Sequence, residues 1–114
     1  MNMKHELVAE ILALPLEERV EFVEANIQSA FEWYESQRPG LGEQYLGALR
    51  EKLEFVREHP QASPVVYRNV RRAVITRFPY LVFYVGQPKR TSVLAVLHHA
   101  RSPSSWPGRP RRAR

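Results

Sequence analysis

Apolar residues recur at three- and four-residue spacing through the first half of the chain and alternate through much of the second. Over residues 4–13, Leu7, Val8, Ile11 and Leu12 share one side of a short helix, which Leu14-Pro15 interrupts. Proline suits the first turn of a new helix because its missing N–H would be unpaired there anyway, and Glu17 and Glu18 complement the positive end of the helix dipole. A second helix therefore starts near Pro15. Its stripe runs Val20, Val23, Ile27, Ala30, Phe31 and Tyr34 and stops at the turn sequence Arg38-Pro39-Gly40. A third carries Tyr45, Leu46, Leu49, Leu53 and Val56 on one face and ends at His59-Pro60. The tight connection between the two long helices predicts an antiparallel hairpin.

Beyond Pro60 the period changes. β-Branched and aromatic runs at 65–67, 70–76, 80–85 and 91–97 read as strands of an antiparallel meander. In the last two, both alternating sets are apolar, so both faces of the sheet need cover. The hairpin can cover one. The other requires sheet curvature, a partner, or the N-terminal segment. From Ser102 onward the chain lacks any period and is rich in proline and arginine, the pattern of a flexible basic tail. The fold class is α+β, with N-terminal helices packed on a C-terminal antiparallel sheet of three to four strands.

Composition sharpens this picture at two points. The 114 residues suit one core, and the absence of cysteine excludes disulfides, thiolate nucleophiles and zinc–thiolate sites. No apolar run is long enough to span a membrane and no signal-peptide core is present, so a soluble, cytoplasmic protein is expected. The net charge of +5 hides a segregation: residues 1–60 hold twelve glutamates against six Lys/Arg, and the remainder holds eleven Lys/Arg and no acid. Such a basic half favours nucleic acid or another acidic partner, unless it is only a solubilising surface.

Two groups of residues invite chemistry. His98 and His99 are neighbours on a predicted strand and so point to opposite faces, which rules out joint chelation of a metal; no metal or other cofactor is expected. Either histidine could serve as a general base, with Arg77 or Arg101 supplying positive charge to a phosphate, or could simply end the strand in a local hydrogen bond. Arg71, Arg72 and Arg77 fall on one predicted strand, Arg71 and Arg77 sharing a face and Arg72 taking the other. Their guanidinium groups suit phosphates or carboxylates, or protect a sheet edge from aggregation.

An ordered set of short blocks carries a resemblance. Trp33-Tyr34-Glu35, Pro39-Gly40-Leu41-Gly42, Val70-Arg71-Arg72, Arg77-Phe78-Pro79-Tyr80, Tyr84, Val93-Leu94-Ala95-Val96-Leu97-His98, Arg101 and Trp106 together resemble type II toxins of the RelE/ParE superfamily, in the ParE-like, plasmid-stabilisation branch. The resemblance covers residues 27 to about 109. It implies neutralisation by a cognate antitoxin through an acidic or amphipathic C-terminal region, and it makes Arg71, Arg72, Arg77, Tyr80, Tyr84, His98, Arg101 and Trp106 candidates for contact with a partner or nucleic acid. Self-association of the chain is compatible with it. Members of the superfamily either poison DNA gyrase or cleave mRNA in the ribosome. The sequence favours gyrase: where RelE-like ribonucleases carry a phosphate-stabilising strand arginine this chain has Tyr80, and near their C-terminal tyrosine it has Trp106. Arg77, His98 and Arg101 remain the candidates if the chain is a nuclease.

The N-terminus departs from that pattern. The strand that usually opens these toxins is missing, and Leu7 through Ser29, centred on Leu14-Pro15-Leu16-Glu17-Glu18-Arg19, resembles the short helical addiction-module antitoxin family. The expected division is an antitoxin-like segment at 1–29, a toxin domain at 30–101 and the tail at 102–114. A fusion of this kind could be inactive or self-neutralised.

Overall fold

The computed structural model describes residues 3–100, with side chains from residue 8 onward; Arg101, Trp106 and the expected tail at 102–114 lie outside them. Three helices, α1 (Met3–Leu12), α2 (Leu16–Gln37) and α3 (Leu41–Glu58), precede four strands, β1 (Val65–Tyr67), β2 (Val70–Val74), β3 (Tyr80–Gln87) and β4 (Arg90–His98). Each strand pairs antiparallel with the next, giving the order β1-β2-β3-β4. This is the α+β arrangement that the change of period predicts, and among the described residues no strand precedes the helices.

The α2–α3 turn is held by its own sequence. Gly40 adopts φ +90°, where a side chain would be strained. The Glu35 carboxylate then accepts hydrogen bonds from the Gly40 and Gly42 N–H groups, both at 2.9 Å. Those donors lie at the start of α3, where helical N–H groups have no partner within the helix and the dipole favours negative charge. Helix α2 thus supplies the cap of α3.

The sheet buries both faces. One packs Ala73, Ile75, Tyr80, Val82, Tyr84 and Val96 against Ala30 and Tyr34 of α2 and Tyr45, Ala48, Leu49 and Val56 of α3. The other packs Val70, Leu81, Phe83, Val85, Leu94, Ala95 and Leu97 against Val8 and Ile11 of α1 and Phe22 of α2. Of the three covers that the alternating pattern left open, the N-terminal segment is the one used. Helix α2 serves both cores. Its buried positions are Phe22, Asn26, Ala30 and Tyr34, and the Asn26 side-chain oxygen accepts the Val96 N–H of the edge strand β4 at 3.0 Å. Val20, assigned to the buried stripe by spacing, is instead 48% exposed, because a helix that straddles a sheet edge turns different sides inward along its length.

Three strand assignments need correction. Strand β2 ends at Val74, short of Thr76, and Arg77 lies in the following turn at φ +70°, so it shares no strand face with Arg71. Pro79 has no N–H for a ladder, and the Ile75 N–H closes the turn on the Tyr80 carbonyl at 3.0 Å. Strands β3 and β4 run longer than alternation indicated, meeting at Pro88-Lys89. Among the described residues no helix is long and apolar enough to cross a membrane.

Candidate functional site

Arg71 and Tyr84 face each other across β2 and β3, and both tie the α3–β1 connection to the sheet. The Arg71 guanidinium donates to the Ser63 carbonyl at 2.7 Å, and the Tyr84 hydroxyl donates to the Pro60 carbonyl at 2.9 Å. Tyr84 is wholly buried, so its hydroxyl and ring act inside the core. Arg72, one residue on, takes the opposite face as expected for a strand; its buried Nε has no hydrogen-bond partner among the described residues.

A second group gathers where α2 ends near the end of β4. Tyr34, Tyr45, Phe78 and Tyr80 form an aromatic cluster with ring centroids 5.0–6.1 Å apart. Such pairs each add of order 1 kcal/mol beyond their buried area. Burial, followed by the neighbouring Tyr80 and Tyr34, pushes the Tyr45 phenol well above its ordinary range, and its hydroxyl has no hydrogen-bond partner among the described residues. Outside this cluster lies a cavity of about 310 Å³ lined by Trp33, Tyr34, Pro79, Tyr80 and His98. The His98 ring stands edge-on to Tyr80 at 5.2 Å, and its Nδ1 accepts the Ala100 N–H at 3.0 Å.

The two histidines do not diverge. Their rings stack at 5.3 Å and 25°, contrary to the opposite-face expectation, because β4 ends at His98 and strand alternation stops there. The His99 N–H donates to the Pro79 carbonyl at 3.0 Å, which fastens this corner to the β2–β3 turn. Among the described residues no three His, Cys, Asp or Glu side chains converge as metal ligands would.

Of the residues nominated from sequence, Tyr80 and His98 meet in one cavity, next to the turn that carries Arg77. Arg71 and Tyr84 act elsewhere, at the α3–β1 connection. Trp33, Tyr34 and Pro79 complete the cavity without having been nominated as site residues. The available signal was Trp33 itself, an indole lying off the apolar stripe of α2 and 50% exposed. The lining carries two phenols, an imidazole and an indole but no carboxylate, a set suited to stacking and hydrogen bonding.

No curated protein matches the sequence significantly. A family model described as "ParE toxin of type II toxin-antitoxin system, parDE" matches residues 21–103, from the second turn of α2 through the whole sheet. The match spans most of the chain and includes both helices of the hairpin and the aromatic corner, so the chain belongs to the ParE toxin family, the toxin half of a type II toxin-antitoxin pair that implies a cognate antitoxin.

Proposed function

We propose that this toxin acts in the cytoplasm by binding DNA gyrase, without a cofactor and without cutting RNA. The observation that carries the reading is the state of Tyr80. At the position where RelE-like ribonucleases hold a phosphate-stabilising arginine, this chain has an uncharged ring that is 3% exposed and packed among other aromatic rings. A buried phenol cannot provide the permanent charge that a guanidinium brings to a phosphate. Inducible expression in a bacterial host tests the proposal. DNA-damage signalling with continuing translation is the expected result; immediate translation arrest with cut mRNA refutes it in favour of the endonuclease. Toxicity that survives both Arg77→Ala and His98→Ala removes those residues as catalysts.

A second reading has its own observation. Val8 and Ile11 of α1 are each 1% exposed against the second face of the sheet. On this reading residues 1–29 are an antitoxin-like segment joined to a toxin domain at 30–101, and α1 neutralises the domain by occupying that face. Helix α2 continues unbroken through the boundary. Unimpaired growth with the natural chain, and toxicity gained by Ile11→Asp at equal expression, supports self-neutralisation; toxicity of the natural chain excludes it.

A further inference from the structure

At the end of the sheet opposite the aromatic corner, a cavity of about 510 Å³ opens between the α3–β1 connection and the β1–β2 turn. Pro60 lies against Gly86 there: a Cβ added to that glycine would meet the Pro60 side chain at 2.8 Å, so bare backbone lets the connection cross the sheet end. Two arginines line the cavity, Arg68 from the turn and Arg71 from β2, and no carboxylate does. Arg68 adopts φ +53°, where glycine or asparagine is the easier residue. Its Nε donates to the Tyr67 hydroxyl at 3.1 Å, while Arg71 donates through Nη1 to the Ser63 carbonyl at 2.7 Å and the Gln61 carbonyl at 3.4 Å. All three acceptors are uncharged. Among the described residues each guanidinium therefore keeps one two-nitrogen edge uncommitted, Nη1–Nη2 on Arg68 and Nε–Nη2 on Arg71.

The adjoining cavity, which shares Pro60, Gln87 and Pro88 with this one, is lined by Glu54 and Glu58 but also by Arg50, Arg57, Lys89 and Arg90. With both glutamates taken as fully charged, six cations stand against two anions across the pair of cavities, and the carbonyl end of α3 subtracts only about half a charge. The field favours an anion. The free donors select which one. A carboxylate or a phosphodiester offers two unesterified oxygens and a single charge, enough for one guanidinium edge. A phosphomonoester offers three oxygens and about two negative charges, enough for both edges. We propose that this cavity binds the terminal phosphate of a phosphomonoester, held between Arg68 and Arg71. The inference stands on this cavity and does not depend on which cellular target the toxin inhibits.

The test uses the full chain and two pairs of probes. Short oligothymidines with a dye at the 3′ end, alike except for a 5′-phosphate or a 5′-hydroxyl, are compared by fluorescence anisotropy, and ribose 5-phosphate is compared with ribose by calorimetry. The phosphate-bearing probe is expected to bind about tenfold more tightly than its phosphate-free counterpart. A preference confined to the oligomers assigns the site to a nucleic-acid end, and one shown by ribose 5-phosphate assigns it to small phosphorylated molecules. Arg68→Asn, which suits the positive φ of an exposed turn and so spares the fold, brings the preference to about one. Arg71 also holds the Ser63 carbonyl and is left in place in every variant. Arg57→Gln, in the adjoining cavity, weakens both oligomers alike and leaves their ratio at about tenfold. The proposal is overturned when neither phosphate probe binds more tightly than its counterpart, or when the preference survives Arg68→Asn. It is also overturned by an oligomer ending in a 5′-carboxylate that binds as tightly as the 5′-phosphate, since the cavity would then take any anion.

Discussion

Replacing Asn26 with alanine removes the acceptor that holds the outer edge of β4. The side-chain oxygen of Asn26 accepts the Val96 N–H at 3.0 Å, and the two residues are 3% and 1% exposed. Water therefore cannot readily take over the bond. Leaving a buried donor without its acceptor costs about 1–3 kcal/mol, and the vacated volume adds to the loss, so about 2–3 kcal/mol is expected in total. That is a large share of the roughly 5–15 kcal/mol that stabilises an ordinary domain. At about 4 °C per kcal/mol for a chain of this size, the thermal midpoint falls by on the order of 10 °C. Asn26→Leu restores volume but not the acceptor and remains destabilised. Circular dichroism gives the midpoint, and amide exchange reports the Val96 N–H directly, which exchanges faster in both variants. A midpoint within about 2 °C of the natural chain, with Val96 exchange still slow, refutes the view that this bond fastens α2 to the sheet edge.

Two further substitutions test the packing. At Gly42 an added Cβ would lie 2.7 Å from the Phe31 ring and 2.8 Å from the Glu35 carboxylate, so Gly42→Ala is expected to cost about 1–3 kcal/mol in urea unfolding; an unchanged midpoint means the α2–α3 turn relaxes freely. Tyr45→Phe deletes a buried hydroxyl that has no partner among the described residues and should be neutral or stabilising by up to about 1 kcal/mol near neutral pH. Burial raises the Tyr45 phenol, so the folded chain keeps that proton at pH values where the unfolded chain releases it. The resulting stability is complete below the unfolded value of about 10 and is lost as pH rises above it. Tyr45→Phe should therefore lose less stability than the natural chain between pH 8 and 11, and parallel curves of urea midpoint against pH contradict that assignment.

The three helices, their breaks at Leu14-Pro15 and Arg38-Pro39-Gly40, and the change to strands after Pro60 were legible along the chain because each rests on local causes. Spacing decides which residues share a side, and proline and glycine decide where backbone hydrogen bonding stops. The apolar character of both sheet faces was legible for the same reason, but not its consequence. One-stripe periodicity presumes one surface to pack against, whereas α2 crosses a sheet edge, burying Phe22 in one core and Tyr34 in the other with Asn26 between them. Arg77 left its expected strand because the Ile75–Tyr80 bond closes a turn around Pro79, and His99 left its expected face because β4 had already ended. The cavity was the least legible feature, since Trp33, Tyr80 and His98 come from three elements distant in sequence. The sequence by itself determined the elements and the segregation of charge, which follow from neighbours along the chain; only the tertiary structure decided which rings meet, because that depends on how α2 lies across the edge of the sheet.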